Sequence, residues 1–352
     1  NVRLKIDGGR YGGLWGGGNG EVTAADIQGT IYFRYSGTYG NINNESNTQG
    51  TNRGVDANLD NSDCDRPTSV EEYFCGGTNA IHEGDFVQYF DCNSGFATFK
   101  NIYGGCNRSA FYGNIRLVFR GGTFTNVFGG SKGVSGEGGE ANVYAYTEDH
   151  CAGNSSLIGT GGNIEIVLEG GTVENVYGGC NINGNVEGKI TITVDSNRTD
   201  CPLVVHYIYG GGRDAAYTPV PQLVTGLVTP EVNINSGSIT KKSGVGGSVF
   251  GGGYGLDAIV TANPVVNIGN AAGGKVTVEG TIYGGGDQAQ VTCRTTVNVQ
   301  KKGTRAKTGS IYGGGNRAAV TNSTDVIIGD GSAGPSITGD VYGGGALAAG
   351  NT

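Results

Sequence analysis

The chain has 352 residues, 70 of them glycine, with eight cysteines, no methionine and a formal net charge of −8. Charged residues make up only 15% of it and form no basic stripe, which excludes nucleic-acid binding by counterion release. No apolar run is long enough to span a bilayer as a helix, and three histidines without a CxxC pair supply no zinc set, so no membrane span, metal or cofactor is expected.

In chain order, residues 1–40 open on the strand-like Asn1-Val2-Arg3-Leu4-Lys5-Ile6 and reach the first aromatic–glycine phrase at Trp15-Gly16-Gly17, an N-terminal strand and first coil. The start at Asn1 suggests processing from a longer precursor. Residues 41–101 begin Asn-rich and carry Cys64, Cys75 and Cys92, so they read as an insertion pinned by disulfides.

Residues 102–352 repeat one phrase: an aliphatic residue, an aromatic residue, then two or three glycines. With Trp15, its aromatic positions are Tyr103, Phe128, Tyr177, Tyr209, Phe250, Tyr283, Tyr312 and Tyr342, the last four spaced by 33, 29 and 30 residues. Between phrases lie alternating stretches such as Lys189-Ile190-Thr191-Ile192-Thr193-Val194, which have the period of strands. Residues 132–162, with Cys151, interrupt the pattern as a second pinned insertion.

A strand of five residues buries little alone, but equivalent strands stacked about 4.8 Å apart share one core. The expected fold is therefore all-β, a parallel β-solenoid (β-helix) of about 30-residue coils with two disulfide-pinned insertions. Its core should be made by Ile190, Ile192, Val266, Ile268, Val297, Val299 and Ile328. Glycine at the corners would supply positive φ. Alternation puts Ile311 inward and Tyr312 outward, so the aromatic residues form either a surface stripe, suited to a neighbouring subunit or to sugar rings, or an internally packed ladder.

The phrases 311–320 (IYGGGNRAAV), 282–291 (IYGGGDQAQV) and 176–186 (VYGGCNINGNV) resemble the YGGG-repeat regions of large secreted and surface proteins of bacteria. The likeness covers residues 102–352 and more faintly 2–35, and it implies a surface-exposed, adhesive or structural role without a catalytic motif. Cys106 and Cys180 replace the third glycine of the phrase.

The even cysteine count in a processed, acidic chain predicts disulfides and an oxidising compartment, hence a secreted, extracellular or cell-surface location. Expected pairs are Cys64 with Cys75, Cys92 with Cys106, Cys151 with Cys180 and Cys201 with Cys293; Cys106 and Cys180, two rungs apart, should not join each other. Candidate glycosylation sequons lie at Asn44, Asn107, Asn154, Asn197 and Asn322. Gly269 to Lys275 nearly spells a phosphate loop, but Val276 stands where Ser or Thr is needed. Glu165, Glu169, Glu174 and Glu187 occupy non-equivalent coil positions, and His82, His150 and His206 suggest no triad.

The expected function is that of a non-enzymatic structural subunit of an extracellular or surface assembly, associating with itself end to end into a filament. Strand addition by residues 1–6 into a neighbour is one form of that association. The alternatives are a carbohydrate-active β-helix lyase or hydrolase and a carbohydrate-binding adhesin.

Overall fold

A computed structural model describes residues 69–90, 98–136, 138–151, 153–196, 198–269, 275–299, 306–329 and 334–347, with strand backbone also at 2–6, 10–11, 14–15, 27–28, 31–37 and 40–41. Cys64, Cys92, Asn44 and Asn197 lie outside the described residues.

The protein is all-β, and nearly all its strands pair in parallel. Successive stretches of chain lie one above the next as tiers, each strand bonded to its equivalents in the tiers on either side. One ladder runs from Phe86–Phe90 through 115–119, 164–168, 190–194 and 231–234 to 265–268, Thr295–Val299 and Thr324–Ile328. A second carries the aromatic phrases: Tyr103 pairs with Phe128, Phe128 with Tyr177, Tyr177 with Tyr209, Tyr209 with Phe250, and so on to Tyr342. A third, shorter ladder joins His82–Glu83 to Phe111–Tyr112 and Val143–Tyr144.

Alternation along each strand divides the side chains between two packings. The residue before each aromatic one, from Tyr73 and Ile102 to Ile282 and Ile311, is buried in a continuous core with the inward residues of the other ladders. Ile190, Ile192, Val266, Ile268, Val297 and Val299 belong to that core as expected, whereas Ile328 is 39% exposed, its strand being paired on one side only among the described residues. The core is aromatic in the early tiers, where Phe90 stacks on Phe119 and Phe99 on Phe124, and turns to Val and Ile beyond them.

The expected insertion at 41–101 is corrected in its second half. Ser69–Phe74 pairs in register with the 98–103 strand, and Phe86–Phe90 with 115–119, so residues 69–90 supply a regular tier. Cys75 stands where later tiers carry the first glycine, which hid the phrase Tyr73-Phe74-Cys75-Gly76-Gly77. Trp15 lies in register with Phe74. Within 132–162, Val143–Tyr144 belongs to the third ladder, and the irregular part is the loop between the Ala145 and Gly161 bridge partners, which contains the short turn Ser155–Leu157. Val2–Ile6 pairs in parallel with 31–35 of the same chain along one of its edges.

Among the described residues the glycines of the repeat phrase do not have positive φ; that conformation falls at other turns, such as Gly84 and Gly113. Their reason is a close approach between tiers. A Cβ on Gly104, Gly178, Gly210 or Gly284 would sit 2.2 Å from the carbonyl oxygen of the matching glycine in the next tier.

None of the four expected disulfides forms, because Cys75, Cys106, Cys151, Cys180 and Cys293 are free thiols. Cys201 is disulfide-bonded. Cys106 and Cys180 are separated by the Ser131 position between them, as their rung spacing required. Burial pushes the Cys106 and Cys180 thiols up to about 12, and burial together with the neighbouring Cys106 raises Cys75 well above the ordinary thiol value. Because the thiolate is the nucleophile, iodoacetamide at mildly alkaline pH should modify Cys151 and Cys293 in the folded protein and reach Cys75, Cys106 and Cys180 only after denaturation. Peptide mass mapping reads this directly, and modification of Cys106 in the folded chain would contradict the packing.

Candidate functional site

The outward aromatic residues form a stack of their own. From Phe74 to Tyr342 nine rings lie face to face, with centroids 4.6 to 5.3 Å apart and planes within 12° of parallel. That spacing is the distance between paired strands, so the ladder itself sets the rings at stacking distance. Neither expectation for this stripe holds in full. The rings lie outside the aliphatic core, yet those from Phe74 to Phe250 are buried, and each covers its neighbour's face. What the stack offers outward is ring edges.

Asparagines bond along the same axis. Asn126 Nδ2 donates to Asn101 Oδ1 at 2.9 Å and Asn175 Nδ2 to Asn126 Oδ1 at 3.0 Å, two residues ahead of the rings. In the first ladder Asn267 and Asn298 repeat the arrangement above Asn233.

The covering layer comes from one recurrent position, the residue after each glycine triplet. Its backbone N–H donates to the triplet of the tier before, as Arg213 does to Cys180, Tyr254 to Gly212 and Asp287 to Gly253. The side chain then lies over the stack. Lys132 sits 6.0 Å from the Phe74 ring centroid, Asn181 donates to the Tyr103 hydroxyl at 3.0 Å, and Tyr254 meets Tyr177 and Tyr209 edge-on. Sequence reasoning missed this position, although its signal was present: it follows every triplet and changes chemical type from tier to tier.

Above the middle tiers the cover opens into a cleft of about 560 Å³. Tyr177, Tyr209, Phe250 and Tyr283 form its floor, and Tyr207 and Tyr254 stand at its walls. Tyr207 takes the place held by Asn126 and Asn175, and the next tier has Ser248 there, so a large side chain is followed by a small one and space is left. The hairpin of Lys241–Lys242 and Val245–Gly246 packs Gly246 against the Tyr207 ring.

At the far end Asp287, buried, accepts from Arg317 Nη2 at 2.7 Å and from Asn316 Nδ2 at 2.7 Å. Arg213, also lining the cleft, has its nearest carboxylate oxygen, on Asp214, at 3.5 Å. Burial raises the phenols of Tyr177, Tyr207, Tyr209 and Tyr283, so all four keep their protons at neutral pH and remain hydrogen-bond donors.

The other residues singled out in the sequence lie elsewhere. Glu165, Glu169 and Glu174 pair with Arg116, Arg120 and Lys242, and Glu187 accepts from the Ala145 N–H. His82 is buried against Phe111, while Glu83, on the opposite face of the strand, accepts from His150 at 2.7 Å. His206 bonds to the Thr240 carbonyl. Asn154 and Asn322 are exposed and Asn107 is half-buried. Among the described residues no group of three or more His, Cys, Asp or Glu is placed to hold a metal ion, and no helix is long and apolar enough to cross a membrane.

No family model, curated protein or solved structure matches the chain.

Proposed function

We propose that the chain is a parallel β-solenoid of about 30-residue coils that serves as a non-enzymatic structural subunit of an extracellular or cell-surface assembly, adding to copies of itself end to end. The observation that carries this reading is that every tier is a template for the next. Ring lies on ring at every step from Phe74 to Tyr342, glycine lies under carbonyl from Gly104 to Gly313, and amide bonds to amide at several of the same steps.

Among the described residues, no further strand pairs with the tier formed by Thr324–Ile328 and Val341–Tyr342. Ile327, Val341 and Tyr342 are 44 to 47% exposed, and a Cβ at Gly343 or Gly344 would meet nothing within 4 Å where the tier before meets the backbone of the next. Its strand edges and apolar side chains gain both ladder bonds and burial when the opposite end of a second copy covers them. The disulfide at Cys201 supports an oxidising location.

Light scattering should show the mass rising with protein concentration and electron microscopy should show unbranched rods. The double variant Ile327→Lys, Val341→Lys should stay monomeric with an unchanged circular dichroism spectrum, since charges on an exposed sheet edge oppose pairing. An intact chain that is monomeric at high concentration would overturn the reading.

A further inference from the structure

The cleft over the ring stack has a chemistry that end-to-end assembly does not use. It lies on the side of the stack and ends at Asn316 and Arg317, one tier short of the edge at 324–347, and all its lining side chains are aromatic or polar. A partner protein's aliphatic side chains find no aliphatic pocket there. The floor consists of ring edges because the ring faces are taken by neighbouring rings. An aromatic edge carries the positive end of the ring quadrupole, so this floor attracts oxygen atoms and not hydrocarbon faces.

The groups around it are of the same kind. The hydroxyls of Tyr177, Tyr209, Tyr254 and Tyr283 can donate and accept, the Asn126 and Asn175 amides do both, and Arg213 presents a planar fork of donors. Arg317 and Asp287, held together at 2.7 Å, offer N–H donors and carboxylate lone pairs side by side, the complement of two hydroxyls on adjacent carbons. The volume of about 560 Å³ is in the roughly 300–1,000 Å³ range of sites for small organic ligands. The cleft is also elongated, since its floor spans three ring steps of 5.0, 4.8 and 4.7 Å along the stack.

From this we infer that the cleft bounded by Tyr207, Arg213, Tyr254, Asp287 and Arg317 is a binding site for a short oligosaccharide, laid along the ring edges with its hydroxyls on the phenols, amides and the Arg317–Asp287 pair. The substrate class follows from the density of oxygen-seeking groups on an aromatic floor, and the site stands whether or not the chain assembles into rods.

The test is isothermal titration of the intact chain with neutral, amino-sugar and uronic-acid oligosaccharides, each at up to millimolar concentration. At least one class should bind. Two variants then locate the site: Tyr254→Ala removes a wall, and Ser248→Tyr fills the space beside Tyr207. Each should weaken binding at least tenfold, while Lys307→Ala, away from the cleft, changes nothing; unfolding midpoints of the three variants verify that the fold is retained. Absence of binding across all three classes overturns the inference, and so does a ligand held equally well by Ser248→Tyr. Association measured in parallel by light scattering keeps a failure of the assembly reading separate from a failure of this one.

Discussion

Replacing Gly284 by Ala is expected to destabilise the protein by about 3 kcal/mol, near the top of the range for overpacked interiors. The added methyl carbon would lie 2.2 Å from the Gly313 carbonyl oxygen, and 3.2 Å from the Cβ of Thr295. Neither obstacle is the far end of a flexible side chain. The carbonyl accepts from Thr295 Oγ1 at 2.6 Å and belongs to the backbone of the next tier, so relief requires the two tiers to separate. Separation weakens everything else that the same step holds in place: the Tyr283–Tyr312 ring contact, the Ile282–Ile311 core contact and the ladder bonds beside them. The stiffer unfolded chain that Ala brings offsets at most about 1 kcal/mol of this.

Gly334→Ala is the matched control, because a Cβ there meets nothing within 4 Å. Urea titration of the two variants should give a large downward midpoint shift for the first and only the small upward shift of a stiffer unfolded chain for the second. Since stability in a stacked architecture is close to a sum of tier and interface terms, Gly284→Ala should also broaden the transition or divide it, as tiers on the two sides of the fault unfold separately. Equal midpoints for both variants would mean that the repeat glycines serve backbone conformation after all, and that the close approach is slack.

The two signals that repeat most regularly were legible in the sequence. The aliphatic–aromatic–glycine phrase marks the tiers because three adjacent positions each meet a strict demand: an inward side chain for the core, an outward ring for the stack, and no side chain at all under the next carbonyl. Where one demand is met by a different residue, the phrase disappears from view although the tier remains. Cys75 fills the first glycine position, and the tier of Phe74 therefore reads as an insertion.

The cleft was illegible for another reason. It depends on which residue follows each triplet, and Arg213, Tyr254 and Asp287 are ordinary one at a time; only stacking brings them over the same rings. Cysteine pairing failed for want of geometry. Counting assigns partners, but inward-facing thiols such as Cys106 and Cys180 can simply fill core space.

Lowering the pH from about 6.5 to about 4 should cost the folded state roughly 3 kcal/mol through His82 alone, from its depressed value of about 4 at roughly 1.4 kcal/mol per unit. His82 is 2% exposed and stacks on Phe111 at 4.3 Å, with Phe86 meeting its edge. Burial lowers its proton affinity, opposed only by the bond of Nε2 to the Gly84 carbonyl at 3.1 Å. That bond makes Nε2 the protonated nitrogen and leaves Nδ1 as a buried acceptor without a partner. The unfolded chain binds the proton first as the pH falls through 6.5, while the folded chain resists until about 4, so the unfolded state takes up more protons in this window and stability declines with acid. Below about 4 both states carry the charge and the loss levels off. The ladder suggests the diagnostic variant, since the neighbouring tiers place Phe111 and Val143 at the same position. His82→Phe keeps the stack, removes the unpartnered nitrogen and has no proton to bind. It should match or exceed the parent at pH 7, and the gap between them should widen by about two powers of ten in the unfolding constant by pH 4. Parallel urea melts of parent and variant across this range are the measurement, and curves that stay parallel would show that the His82 ring takes up its proton as readily when folded as when unfolded.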